Sequence, residues 1–300
     1  MRILAIIITY NRLCLIKECI AAVKNQTYAD FDILVIDNQS TDGTTEYLNT
    51  LEKEKILFSL KPEKNIGGAG GFYTGIKEAL RLGYSHVWLM DDDTVPDNDA
   101  LENLHKADQL LKYYGFLVSL PLWKDGYICK MNMPLLGPLK QEKGHFLRAG
   151  LLPVQKATFV SIFIKTDVIK EVGLPIKEFF IWGDDQEYTE RISKKYRSYL
   201  VLPSVAKHKT INNLGSDISS DSSERIARYY YAYRNELYIS KRKGVLSICF
   251  YLTRFLYSFF KIILFSQGEK LDRIKWMLRG LFDGIFFHPK IEFFDNKDTL

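Results

Sequence analysis

Three short apolar runs constrain the fold more than any other feature: residues 3–8, 32–37 and 86–90. The first is apolar without interruption, as expected of a strand covered on both faces. Helical spacing separates the runs: Leu13, Ile16, Ile20 and Val23 recur at intervals of three and four, and Ile76, Ala79 and Leu80 share one face of a helix expected over 71–83. Residues 44–54 and 97–114 read as further helices and 56–60 as a weaker strand. Strand–helix repetition of this kind predicts an α/β fold, a mostly parallel sheet flanked by helices. Ligands of such sheets sit at the carboxyl ends of the strands. Those ends carry Thr9 and Asn11, Asp37, and Asp91, Asp92 and Asp93.

Beyond residue 116 the pattern is more broken. Strands are expected at 116–123, 157–165 and 199–205, a helix at 184–196, and a polar loop at 212–223. The composition then turns aromatic, aliphatic and basic, so the chain divides into a catalytic domain, 1–215, and a helical basic-aromatic segment, 216–300. The formal charge of +5 is mild, and with no basic repeat or zinc-finger spacing it gives no reason to expect nucleic acid. Cys14, Cys19, Cys129 and Cys249 form no CxxC pair and read as reduced, mostly buried thiols. Residues 3–8 are too short for a signal peptide. No stretch reaches the roughly 18 uncharged apolar residues of a spanning helix.

Four polar groups point to chemistry. Adjacent carboxylates repel, so Asp91, Asp92 and Asp93 at a strand end call for a cation. Asp91 and Asp93 lie two apart, point the same way in extended backbone, and suit a hard divalent ion. Asn65 and the glycines at 67, 68, 70 and 71 precede a helix, where backbone N–H groups can face a phosphate; neither a dinucleotide fingerprint nor a Walker A pattern is present. After Trp182 and Gly183, Asp184 and Asp185 open a helix, and one of them is a candidate general base. His208 is a candidate nitrogen ligand.

Together these pieces resemble the family 2 glycosyltransferases of the GT-A fold. Thr9-Tyr10-Asn11-Arg12, Val35-Ile36-Asp37-Asn38 with Ser40, Asp42 and Gly43, the three aspartates, Trp182-Gly183-Asp184-Asp185 and His208 occur in the family's order over residues 1–210. The glycine-rich stretch before the aspartates is similar to that of the galactofuranosyltransferase branch, with rhamnosyltransferases as close neighbours. The resemblance implies roles. Thr9 and Asn11 would lie against the nucleotide and Asp37 against its base. Asn65, Gly70 and Gly71 would border the donor, with Asp92 beside its sugar or ribose. Asp91, Asp93 and His208 would hold Mn²⁺ or Mg²⁺, and Asp185 would be the base. Gly183, inserted between Trp182 and the acidic pair, leaves Asp184 as the alternative.

The implied reaction is inverting transfer of a sugar, first galactofuranose from UDP-galactofuranose, to an acceptor hydroxyl of a cell-surface glycan or lipid-linked precursor. Rhamnose from dTDP-rhamnose is the runner-up. An inactive scaffold is a third reading, and a sugar-nucleotide pyrophosphorylase would need a phosphate loop that residues 1–20 lack. In the tail, Arg254 and Lys261 share a helical face among aromatic residues, which suits a helix lying in the interface of the inner, cytoplasmic leaflet. The competing use of that surface is packing on the catalytic domain or a homo-oligomer contact.

Overall fold

The computed structural model describes residues 1–295. The first half alternates as its apolar runs require: β1 (Ile3–Thr9), α1 (Leu13–Lys24), β2 (Phe31–Asp37), α2 (Thr44–Lys53), β3 (Phe58–Leu60), α3 (Gly67–Arg81), β4 (His86–Asp91), a short β5 (Thr94–Pro96) and α4 (Ala100–Leu111). The sheet is completed by β6 (Phe116–Trp123), β7 (Leu135–Leu136), α5 (Gly144–Arg148), β8 (Leu151–Lys156), β9 (Ile162–Lys165), α6 (Thr166–Val172), α7 (Asp184–Ser193) and β10 (Ser198–His208). Four helices follow among the described residues: α8 (Ser223–Ile226), α9 (Tyr229–Lys243), α10 (Val245–Phe265) and α11 (Lys270–Phe286).

The described strands form one mixed sheet in the order β3-β2-β1-β4-β9-β6-β10-β8-β7, with β5 paired to β10 off this path. Pairing is parallel from β3 to β4 and between β6 and β10, and antiparallel where β9 separates β4 from β6. Alternation along β1 sends Leu4, Ile6 and Ile8 to the layer packed against Phe72 and Ile76 of α3, and Ile3, Ala5 and Ile7 to the layer packed against Ile16 and Ile20 of α1. Thr9 sits opposite Asp37, and Ile8 opposite Asp91, so the polar strand ends share one edge.

The structure departs from the sequence expectations in four places. Helix α3 begins at Gly67, four residues earlier than the glycines suggest. Strand β5 follows the aspartates directly, and β8 precedes the expected strand at 157–165, of which only Ile162–Lys165 is extended. Two cysteines, Cys14 and Cys249, are exposed.

The tail is the fourth. Helix α10 has 21 residues, a mean hydropathy of 1.6 over its apolar window and only 17% of that window buried, so by length and composition it could cross a membrane. It packs inward through Tyr251, Phe255 and Ile262. The two charges expected on the interfacial helix are ion-paired within the protein: Arg254 Nη1 lies 2.6 Å from Glu236, and Lys261 pairs with Asp217. The outward stripe, Leu246, Phe250, Tyr257, Phe260 and Leu264, is left uncharged and exposed.

Candidate metal and donor site

The metal group is assembled by β4, β5 and β10. Asp91 ends β4, and the Asp92 amide donates to Ile8 O, carrying the sheet's hydrogen bonding past the last strand residue. The chain then turns into β5, whose antiparallel pairing sets Thr94 opposite His208. That register delivers the imidazole to the aspartates: His208 Nε2 is 2.8 Å from Asp93 Oδ1. One ligand atom from each of Asp91, Asp93 and His208 lies within 4.8 Å of the others. Asn132 Oδ1 stands 2.9 Å from His208 Nδ1, and the same oxygen accepts from Cys129 Sγ. A proton held on Nδ1 by Asn132 directs the Nε2 lone pair at a metal.

Electrostatics favour a cation here. Burial pushes the Asp91 carboxyl up to about 8, helped by Asp93 and opposed by His208. Burial raises Asp92 to about 6 against the pull of Arg12. Burial would also raise Asp93, but His208 and Arg12 hold it down to about 2. His208 is carried up to about 10, its desolvation outweighed by Asp93, Cys129 and Asp91. Arg12 reaches in from the rim, with Nη1 3.1 Å from Asp92 and 2.7 Å from Asp93. Three crowded carboxylates thus draw on one guanidinium and one imidazolium. The donor set, two carboxylates and one oriented imidazole nitrogen, fits a divalent ion such as Mn²⁺ or Mg²⁺.

The expected donor-facing residues divide. Thr9 is 1% exposed and its hydroxyl donates to Asp92 (2.8 Å), which places it in the metal group's support. Asn11 is exposed at φ 52°, its side-chain oxygen accepting from the Thr41 amide. Asp37, expected to face the base, is 1% exposed and accepts from the Ser40 amide and the Thr45 hydroxyl; here its carboxylate closes the loop after β2. Asn65 Oδ1 accepts from the Gly67 amide (2.8 Å), so it occupies one of the N–H groups expected to meet a phosphate.

Gly70 and Gly71, the glycines expected to border the donor, sit near the start of α3. Both are buried inside α3, and a Cβ would lie 2.8 Å from Ile66 at the first and 2.7 Å from Ile8 at the second. At Gly71 the missing side chain lets the helix lie close on β1, and at Gly70 it leaves room for Ile66 at the start of the helix.

Asp184 and Asp185 open α7, with Asp184 close enough to Asp91 to feel its charge. Asp184 is 7% exposed, and its carboxyl is pushed well up by burial, by Asp185 and, more weakly, by Asp91. Asp185 is raised to about 6 by burial, against the Gln186 amide that donates to it. The turn before them is left-handed at Phe180 (φ 64°), Trp182 (φ 64°) and Gly183 (φ 86°).

Some of the site was not picked out in the sequence. Arg12 follows Thr9-Tyr10-Asn11 in sequence, where nothing in the pattern marks it as a partner of the aspartates. Asn132 comes from an irregular segment with no periodic signal. Arg234 and Asn235 belong to α9, whose aromatic composition concealed two buried polar side chains.

Residues 4–127 match the glycosyl transferase family 2 model. The galactofuranosyltransferase GlfT1 of Mycolicibacterium smegmatis is 25% identical over 261 residues, 80% of this chain and 83% of that protein. GlfT1 of Mycobacterium tuberculosis is 26% identical over 265 residues, 81% and 83% of the two chains. Among solved structures, Staphylococcus aureus TarS shares the fold at a TM-score of 0.55 and 15% identity, over 95% of this chain and 44% of TarS. The Pyrobaculum calidifontis mannosyltransferase PcManGT, in complex with GDP-Man and Mn²⁺, gives 0.58 and 13%, over 95% of this chain and 87% of the other.

Proposed function

We propose that this chain, a glycosyltransferase built on a family 2 domain and the GT-A fold, transfers galactofuranose from UDP-galactofuranose to an acceptor hydroxyl, with inversion. The observation that carries a metal-dependent reaction is the convergence of Asp91, Asp93 and His208 within 4.8 Å, with Asp184 within reach of the charge on Asp91. A divalent cation held there would offset the charge of the departing nucleoside diphosphate. Arg12, beside the same aspartates, is placed to take part in binding the diphosphate. Asp185 takes the proton from the acceptor hydroxyl as its oxygen attacks the sugar, and Asp184, its carboxyl pushed up by burial and by Asp185, stands beside it. One displacement inverts the anomeric centre without an enzyme nucleophile.

The names of the relatives support galactofuranose as the sugar. The glycine-rich stretch adds less than its sequence suggests, because two of its glycines serve packing. Calorimetric titration with UDP and with dTDP, each with Mn²⁺, tests the donor: preference for UDP is expected, and preference for dTDP favours a rhamnosyl donor instead.

The acceptor is a lipid-linked glycan at the inner leaflet. The uncharged stripe of α10 supports this, and α11 adds Leu271, Leu278, Phe282 and Phe286 with the exposed cations Lys275 and Arg279. Apolar side chains beside cations suit the interface of an anionic bilayer.

A further inference from the structure

The acidic pair is shaped from outside the catalytic domain. Asn235 of α9 is 1% exposed, and its Nδ2 lies 2.9 Å from Phe179 O, 3.1 Å from Ile181 O and 2.9 Å from Trp182 O. Arg234 Nη2 adds Glu178 O at 2.5 Å and Phe179 O at 3.3 Å. Arg234 Nε donates to Asn235 Oδ1 (3.0 Å), which fixes the amide with its nitrogen toward the carbonyls. The guanidinium is itself seated over the Phe287 ring, 4.0 Å from its centroid.

These carbonyls belong to the turn that immediately precedes Asp184. Its left-handed residues Phe180 and Trp182 are side-chain-bearing positions that disfavour that conformation, so surrounding contacts must impose it. Carbonyl oxygens gathered on one side also repel, and a donor between them offsets the repulsion. The same turn reaches the donor side of the site: Phe180 O accepts from the Ala69 amide (3.1 Å) and closes the space above Gly67, where a Cβ would meet it at 2.1 Å.

We infer that Asn235, oriented by Arg234, is a positioning residue that sets the turn 178–183 and thereby the aim of Asp184 and Asp185 at the acceptor. The inference rests on the reading of that pair as the base. It makes α9 part of the active site and gives the helical segment a role in turnover as well as in seating.

The test is Asn235→Asp, which keeps the side-chain shape but replaces the N–H donors with an oxygen that repels the three carbonyls. The expected result is a folded protein whose kcat for transfer falls by about 10²-fold, the scale of an ångström-sized misplacement, while its Kd for UDP with Mn²⁺ stays at the wild-type value. Wild-type kcat, or a loss of UDP binding as large as the loss of turnover, overturns the inference. Arg234→Lys provides a second route if Asn235→Asp does not fold: it removes the guanidinium fork, and it too should lower kcat without moving the UDP Kd. Wild-type kcat in folded Arg234→Lys contradicts the inference. Asp184→Asn and Asp185→Asn, measured in parallel, separate the two claims. Loss of turnover in Asp185→Asn with retention in Asn235→Asp defeats the positioning role alone. Retention in both aspartate variants defeats the base reading, and the positioning role with it.

Discussion

His208 Nε2 lies 2.8 Å from Asp93 Oδ1, across 115 positions of sequence, because β5 and β10 pair antiparallel immediately after the aspartates. This contact joins the two halves of the catalytic domain at the point where the metal would bind.

The first prediction concerns that contact in the protein without nucleotide. Mn²⁺ should raise the Tm, and His208→Ala or Asp93→Ala should abolish the rise while leaving the circular dichroism unchanged. Asn132→Ala should weaken Mn²⁺ by about 10–100-fold, the usual cost of losing a partner that orients a ligand. Asp91, at about 8, and His208, at about 10, both hold protons that the ion must displace. Metal affinity therefore rises with pH, and the Tm shift should be larger near about pH 8 than near about pH 6. A shift that shrinks as pH rises contradicts the ligand assignment.

The second concerns the base. Asp185→Asn should lower kcat by at least about 10²-fold, and Asp184→Asn by less. The base works as the carboxylate, and burial raises its pKa to about 6. Activity should therefore fall as pH drops through about 6, rather than through the ordinary carboxylate range near 3.8. A kcat profile flat down to about pH 4.5 contradicts the assignment. Reversed effects of the two variants would transfer the role to Asp184.

The third concerns the glycines of α3. Gly71→Ala brings a Cβ to 2.7 Å from Ile8 Cγ2. Overpacking should destabilise by about 1–3 kcal/mol, although alanine is the better helix former. Urea unfolding measures this. A variant with wild-type stability and a raised donor KM would assign Gly71 to the donor instead of to packing.

How much of this was legible in the sequence depends on range. The strands at 3–9, 31–37 and 86–91 announced themselves because both faces are buried, and the aspartates were conspicuous because their crowding has no packing rationale. The glycines left two readings open, because close helix–sheet packing and close ligand approach require the same residue. Asn132 and Asn235 act across the fold through single hydrogen-bonding atoms, and neither has a periodic signal. Arg254 and Lys261 share one helical face, but their acidic partners, Glu236 on α9 and Asp217 in the loop before α8, lie where spacing alone could not bring them near.

The fourth prediction concerns the tail. The full chain should float with liposomes rich in anionic lipid. Leu246→Glu with Phe260→Glu, both on the exposed stripe of α10, should leave it in the soluble fraction with its UDP affinity intact. A chain that stays soluble at low salt loses the interfacial reading. Concentration-dependent dimerisation abolished by the same substitutions would assign the stripe to a second copy of the chain.

The most direct test of the central claim is release of UDP from UDP-galactofuranose, measured with Mn²⁺, with excess chelator, and with Mn²⁺ restored. The account predicts slow release with the ion, loss with the chelator, recovery on restoration, and no release from Asp93→Ala under any of the three conditions. Undiminished release in excess chelator, or from Asp93→Ala, would contradict it.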